Sequence, residues 1–330
     1  MSLNRATPEG TARYRERFAG RAAKNHFREQ QGLVLSSIGI GTYLGNPDEE
    51  TDLNYAKAVV RAVQLGCNVI DSAANYRFQR SERSIGRALK TLTTEHGFAR
   101  EELVICTKGG YLPFDGSPPR NVREYVNETF VKPGIASFED FVGGAHCMTP
   151  AYLQNQLDQS LRNMGIECVD VYYIHNPESQ LGQISESEFY SRLRRAFERL
   201  EQNRKDGKLA HYGVATWNGF RVPAESREHH SLGRMVDIAR EAGGDAHGFR
   251  FIQLPFNLAM PEGIPVIEEA QGLGVTVVAS ASLLQGRIRP QEAIQFVRST
   301  PGITTALIGM SRVEHVEENL SSIDYADYTD

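Results

Sequence analysis

Short apolar runs and longer amphipathic stretches alternate along the chain in a regular order. The runs at 37–41, 68–71, 103–108, 169–175, 211–216, 251–255, 276–280 and 304–308 are rich in β-branched residues and bounded by polar or glycine-containing segments. They read as buried strands. Helical spacing fills the intervals 52–65, 82–92, 151–164, 186–206, 232–241, 265–271 and 290–299, and an eighth helical stretch at 312–320 follows the last strand. In 151–164, Leu153, Leu157, Leu161 and Met164 share one helix face behind a Thr149-Pro150 start, an N-cap with proline at the first helical position. Strand and helix repeat eight times, which predicts a parallel (β/α)8 TIM barrel, a ring that leaves no free sheet edge. The expected organisation is one barrel domain over 1–330. Within it, 1–31 is an N-terminal extension, and 109–148 and 218–248 are connections too long for routine barrel loops.

Composition narrows the classes of function. With 40% hydrophobic and 23% charged residues, the chain has material for a large core. Its formal net charge of −5 gives no support for a nucleic-acid partner, which needs a basic face. No apolar run approaches the ~18–20 residues that span a bilayer. The N-terminal stretch, with Arg5, Arg13, Arg15 and Arg17, lacks the apolar segment of a secretory signal. Cys67, Cys106, Cys147 and Cys168 show neither metal-like spacing nor CxxC pairs, and read as free thiols in a reducing compartment. A cytoplasmic protein without a metal site is the expectation.

Candidate chemistry lies where strands end. Asp71 closes the 68–71 run, Tyr76 follows five residues later, Lys108 closes 103–108 and His175 closes 169–175. Barrels of this class carry their chemistry at the C-terminal ends of the strands. Singly, each residue has a plain structural explanation: a loop tyrosine that packs, a lysine that reaches solvent, a histidine turned onto backbone before Asn176-Pro177. Together their roles are complementary. An ammonium beside a phenol stabilises the phenolate and is expected to lower the tyrosine pKa from ~10. A carboxylate holds the lysine, and an imidazole orients a carbonyl oxygen. The set suits proton donation to a carbonyl. No activated nucleophile or metal-ligand set accompanies it.

At these residues the chain resembles the aldo-keto reductase family, over roughly 32–319. The segment 66–76, continuing to Ser81-Glu82 and Ile85-Gly86, is similar to that family's first signature, with spacing like that of bacterial reductases and potassium-channel β subunits. Val104 to Lys108 and Asp170 to His175 resemble its lysine and histidine strands. The resemblance implies a catalytic tetrad of Asp71, Tyr76, Lys108 and His175, and NADP(H) as cofactor. It implies cofactor contacts at Gly41, Thr42, Asp71, Thr216, Gln253 (for the carboxamide), Ser280, Leu283, Gln285 and Gly286. Around the adenosine it implies Gly309, Ser311, Arg312, His315, Glu318 and Asn319, with Arg312 opening the last helix and facing the 2′-phosphate. Ser280 stands where the family stacks an aromatic ring on the nicotinamide, and Ala215 where it has a serine.

The resemblance implies reduction of a small-molecule aldehyde or ketone, with Tyr43, Tyr111 and Trp217 as substrate contacts. The 109–148 connection carries Tyr111, Phe114, Tyr125, Phe130, Phe138 and Phe141, and is expected to shape the substrate pocket. Two other classes stay open: a cofactor-binding regulatory or redox-sensing protein with weak turnover, and a barrel lyase that uses Lys108 as a Schiff base. The substrate and the choice between monomer and homo-oligomer are not readable from the sequence.

Overall fold

The computed structural model describes residues 4–284, 287 and 289–320. In chain order the elements are α1 (Pro8–Glu16), β1 (Phe27–Gln30), β2 (Leu33–Ser36), β3 (Ile38–Gly41), α2 (Glu49–Gln64), β4 (Val69–Asp71), α3 (Arg80–Glu95) and β5 (Val104–Gly109). They continue with α4 (Val122–Val126), α5 (Pro150–Met164), β6 (Val169–His175), α6 (Glu186–Lys205), β7 (Leu209–Ala215) and α7 (Leu232–Gly243). The chain finishes with β8 (Phe249–Pro255), α8 (Ile264–Gly272), β9 (Thr276–Ser280), α9 (Pro290–Ser299), β10 (Ile303–Gly309) and α10 (Val313–Leu320). Strands β3 to β10 form a closed parallel barrel in sequence order, with β10 pairing β3. All eight expected strands and all eight expected helices are present within a few residues of their predicted bounds. The α1 helix, the β1–β2 hairpin and α4 were not anticipated, because each is short and carries little periodicity of its own.

Alternation along the strands decides which side chains reach the site. Val69, Val104, Cys106, Val171, Tyr173, Ala215, Phe251, Val278 and Leu307 form one apolar cluster with Leu33 and Leu35. Their neighbours Ile70, Ile105, Tyr172, Ile174, Val214, Ile252, Val277 and Ile308 belong to a second cluster that includes the helices. A strand's side chains alternate between faces with period two. The positions one step further along the inner lane are therefore Asp71, Lys108, His175, Trp217, Gln253, Ser280 and Gly309. The site is the C-terminal rim of the inner lane.

The N-terminal extension closes the other end of the barrel. Tyr14 on α1 is fully buried and donates through Oη to the Val63 carbonyl at 2.6 Å. Asn68 cross-links the hairpin to β4: its Oδ1 accepts from Ser36 N–H at 2.8 Å and its Nδ2 donates to the Val34 carbonyl at 2.8 Å. Asp170 near the start of β6 gathers three donors, from Ala6 N–H (2.6 Å), Ile105 N–H (2.7 Å) and Arg100 Nη2 (2.7 Å). Replacing Asp170 with alanine takes the carboxylate from a largely buried guanidinium, which keeps the Leu103 and Cys168 carbonyls, and leaves two buried N–H groups unpaired. The expected cost is about 3–5 kcal/mol of unfolding free energy, measured by urea denaturation. A loss under ~1 kcal/mol, the size of an exposed ion pair, would show that Asp170 does not hold the extension to the barrel.

Candidate active site

The strand ends converge on a cavity of about 730 Å³ at the C-terminal face of the barrel. Lys108 is buried at its base. Its Nζ donates to Asp71 Oδ1 at 2.5 Å and to the Ser72 carbonyl at 2.7 Å, and lies 4.9 Å from the centre of the Tyr76 ring. Asp71 Oδ2 accepts from Gln253 Nε2 at 2.9 Å. Strand pairing produces this meeting: Asp71 is in register with Cys106 on β5 and Lys108 with Tyr173 on β6. Lys108 is thereby brought beside Asp71, and His175 sits two residues beyond the β6 partner.

Tyr76 is delivered by a loop that folds back over β5, where Ala74 N–H donates to the Lys108 carbonyl at 3.0 Å. The three residues after it, Arg77, Phe78 and Gln79, have φ of 48°, 58° and 69°. Left-handed backbone costs a side-chain-bearing residue roughly 1–2 kcal/mol, so this turn depends on its anchors. The buried Arg77 guanidinium pairs with Asp52, and its Nε donates to the Asn46 carbonyl at 2.9 Å. Arg80 reaches the other Asp52 oxygen at 2.5 Å, and Gln79 Nε2 donates to the Phe114 carbonyl at 3.0 Å.

The Tyr76 and His175 rings meet edge-on at 5.7 Å, and Tyr43 packs on the other side of Tyr76 at 5.0 Å. Burial, then the Lys108 and His146 neighbours, holds His175 well below the usual histidine pKa, so its imidazole is neutral at pH 7. Its Nδ1 is buried without a hydrogen-bond partner among the described residues. His146, from the 109–148 connection, lies behind it. Gln180 Nε2 donates to His146 Nδ1 at 3.0 Å, which assigns the ring proton to Nε2, and Nε2 donates to the His175 carbonyl at 2.7 Å. Burial pushes the His146 pKa down to about 4. Nothing in the sequence singled out His146.

The proton balance of the group differs from the sequence expectation in one respect. Burial raises the Tyr76 pKa above its ordinary value; Lys108 lowers it, as expected, but does not outweigh burial. Burial also works against the Lys108 ammonium, yet Asp71 and Tyr76 together raise its pKa above the ordinary lysine value. Tyr76 therefore stands as a protonated donor beside a fixed cation.

The cavity brings together most residues singled out from the sequence. Gly41, Thr42, Tyr43, Asp71, Tyr76, Tyr111, His175, Thr216, Trp217, Gln253, Ser280, Leu283, Gly309, Ser311, His315, Glu318 and Asn319 all line it. Lys108 acts from beneath. Arg312 is exposed and lies outside the lining; it precedes α10, its carbonyl accepting from Val316 N–H at 3.2 Å. Gln285 and Gly286 lie outside the described residues. Asn75, Asn176 and Ser282 line the cavity without having been singled out, although each adjoins a motif that was. Among the described residues no cluster of His, Cys, Asp or Glu is placed to hold a metal ion, and no helix is long and apolar enough to cross a membrane.

The 109–148 connection corrects an expectation. Among the described residues, Tyr111 alone of it lines the cavity. Phe130, Phe141 and Tyr152 pack with Val126, Ala136 and Cys147 into a separate core, with Tyr125 and Phe138 against it. Phe114 packs between Phe78 and Tyr125, tilted on the first and edge-on to the second. The aromatic density serves a local core that a long insertion needs to exclude water, and only its first residues face the site.

The sequence model described as "Aldo/keto reductase family" matches residues 37–292. A putative voltage-gated potassium channel subunit beta of Schizosaccharomyces pombe (strain 972 / ATCC 24843) is 24% identical, the alignment covering 91% of this chain and 88% of that one. L-glyceraldehyde 3-phosphate reductase of Escherichia coli (strain K12) is also 24% identical, over 97% of this chain and 90% of its own. Among solved structures, an aldo/keto reductase from Klebsiella pneumoniae in complex with NADP and acetate superposes with a TM-score of 0.62 at 18% identity, covering 92% of this chain and 91% of that one. The fold is the same.

A titration tests the electrostatics of the site. In the protein without added cofactor, the Tyr76 phenol is expected to titrate above pH 10, followed by ¹³Cζ-tyrosine NMR with the Tyr76→Phe spectrum as assignment. A midpoint below 10 would mean that Lys108, not burial, dominates its surroundings.

Proposed function

The chain belongs to the aldo/keto reductase family, and on that premise we propose that it reduces an aldehyde or ketone to an alcohol with NADP(H), Tyr76 supplying the proton. The observation that carries this reading is the buried Lys108, bonded to Asp71 and set against the Tyr76 ring. A structural lysine has no need of a phenol at that place, whereas a proton donor does.

The residues present fit the cofactor. The cavity runs from the Tyr76 end to the residues around α10. The buried Thr216 hydroxyl there lacks a partner among the described residues. Gln253 spends Nε2 on Asp71, which leaves Oε1 to meet a carboxamide N–H. Gly41, Thr42 and Ser280 would flank the nicotinamide, and Leu283 would lie near the pyrophosphate. Ser311, His315, Glu318 and Asn319 would surround the adenosine, with Arg312 reaching the 2′-phosphate from the exposed side. When bound, the nicotinamide supplies the hydride; the protein supplies orientation and electrostatics.

The chain's own part is proton transfer. The substrate oxygen is held between Tyr76 Oη and the neutral His175 ring, which can orient it without adding charge. Tyr76 gives up its proton to that oxygen, and the adjacent Lys108 ammonium stabilises the phenolate left behind. Asp71 keeps Lys108 charged and in place. Ser280, with no ring to stack, leaves the second reading of a slow, cofactor-retaining regulatory protein as the outcome against which the experiment is set.

The test is a panel of carbonyl compounds assayed with NADPH and with NADH. Tyr76→Phe is expected to lower reduction by ~10²–10⁴-fold, the usual contribution of a positioned acid, while NADPH binding stays near wild type. Arg312→Ala is expected to weaken NADPH about tenfold, the low end for charge-assisted bonds, and to leave NADH unchanged. Most activity surviving in Tyr76→Phe would remove Tyr76 as the acid. Tight cofactor with slow turnover on every carbonyl would favour the regulatory reading.

A further inference from the structure

Trp217 walls the cavity shared with His175 and Asn176, yet the residue is 42% exposed. An exposed indole is held by its backbone, and here the backbone is held by Glu178. That residue lies in the short helical turn Pro177–Gln180, directly after the β6 strand that carries His175, and it is buried. Its Oε1 accepts from three successive N–H groups: Trp217 at 2.5 Å, Asn218 at 2.9 Å and Gly219 at 3.4 Å. Successive N–H groups converging on one oxygen form an anion-holding nest, here filled by the protein's own carboxylate.

The other oxygen, Oε2, faces His230 Nε2 at 3.6 Å. His230 is buried, lies flat on Phe189 at 5.0 Å, and donates its backbone N–H to the Gly219 carbonyl at 2.7 Å. Gly219 must lack a side chain, since a Cβ there would lie 2.3 Å from His230 Cδ2. Burial works against the Glu178 carboxylate, but His230 and the Trp217 and Asn218 N–H groups outweigh it and hold its pKa below the usual glutamate value. Glu178 does not line the cavity. A buried charge is costly unless paired, and this one sits where it ties the loop after β6 to the loop after β7.

We propose that Glu178 is a positioning residue for substrate selection: it fixes the start of the 217–230 loop, and with it the Trp217 wall, relative to His175. The inference rests on the carbonyl-reductase reading of the cavity and adds which compounds feel the wall. Tyr43, Tyr111 and Trp217 give the mouth three aromatic faces, and none of the described lining residues is lysine or arginine. Uncharged aromatic carbonyls, large enough to touch the indole, depend on Glu178; small aliphatic ones do not.

The chain has one tryptophan and 13 tyrosines, so emission excited at wavelengths beyond the tyrosine absorption band reports Trp217 alone. In Glu178→Ala, emission anisotropy should fall, acrylamide quenching should rise, and KM for 4-nitrobenzaldehyde should rise about tenfold, equivalent to ~1.4 kcal/mol. Turnover of propionaldehyde and NADPH binding should hold. Glu178→Gln, which keeps an acceptor oxygen, should restore both the fluorescence and the KM. Should Glu178→Ala fail to fold, Glu178→Asp, one methylene shorter, is read by the same measurements with the same expected shifts. Unchanged anisotropy and quenching in the variant that folds would overturn the proposal. An equal loss for both aldehydes together with NADPH binding would also overturn it, as the mark of a merely structural role. A wild-type protein that reduces no carbonyl would defeat the functional reading, while the fluorescence would still decide whether Glu178 positions Trp217.

Discussion

A lysine ammonium and an aspartate carboxylate, both removed from water at the rim of the barrel, are the contact on which the site depends. Breaking such a pair from one side costs about 3–5 kcal/mol, because the survivor is left as an uncompensated buried charge. Here each partner is further tied down, Lys108 to the Ser72 carbonyl and Asp71 to Gln253. The pair is neutral as a unit, so it can lie beneath an apolar cavity. It still presents a cation to the one group set against it, the Tyr76 phenol.

The rest of the architecture can be traced to holding that arrangement. Strands β4 and β5 pair so that Asp71 and Lys108 face each other. The loop after Asp71 brings Tyr76 back over Lys108, and the three left-handed residues that follow turn the chain into α3 above the Asp52 anchor. On the opposite side, His146 and Gln180 fix the backbone of His175, and Glu178 fixes Trp217. Loops that lack a regular ladder of hydrogen bonds are fastened by buried polar side chains.

How much of this was legible in the sequence follows from the range of the interactions. Period-two alternation and the polar residue at each strand end are local signals. They disclosed the barrel and put Asp71, Lys108 and His175 at its rim, while most of the remaining cavity lining was implied by the family resemblance and not by periodicity. His146, Glu178 and the Arg77–Asp52 anchor act across loops with no period, and their partners are set only by the fold. The 109–148 insertion misled because a local core and a pocket wall draw on the same aromatic residues. The direction of the Tyr76 pKa was missed for a related reason: sequence shows that a lysine is near, but not how deeply the phenol is buried.

The central claim is that Lys108 tunes Tyr76 as the proton donor. The most direct test is the pH profile of kcat/KM for carbonyl reduction in the wild type and in Lys108→Met, at enzyme concentrations that read the residual rate. On that claim reduction needs Tyr76 protonated, and the rate falls as pH rises through its pKa. Lys108 lowers that pKa, so removing it should move the fall to higher pH while reducing the plateau. A fall that stays at the wild-type pH in Lys108→Met, or moves to lower pH, would contradict the account.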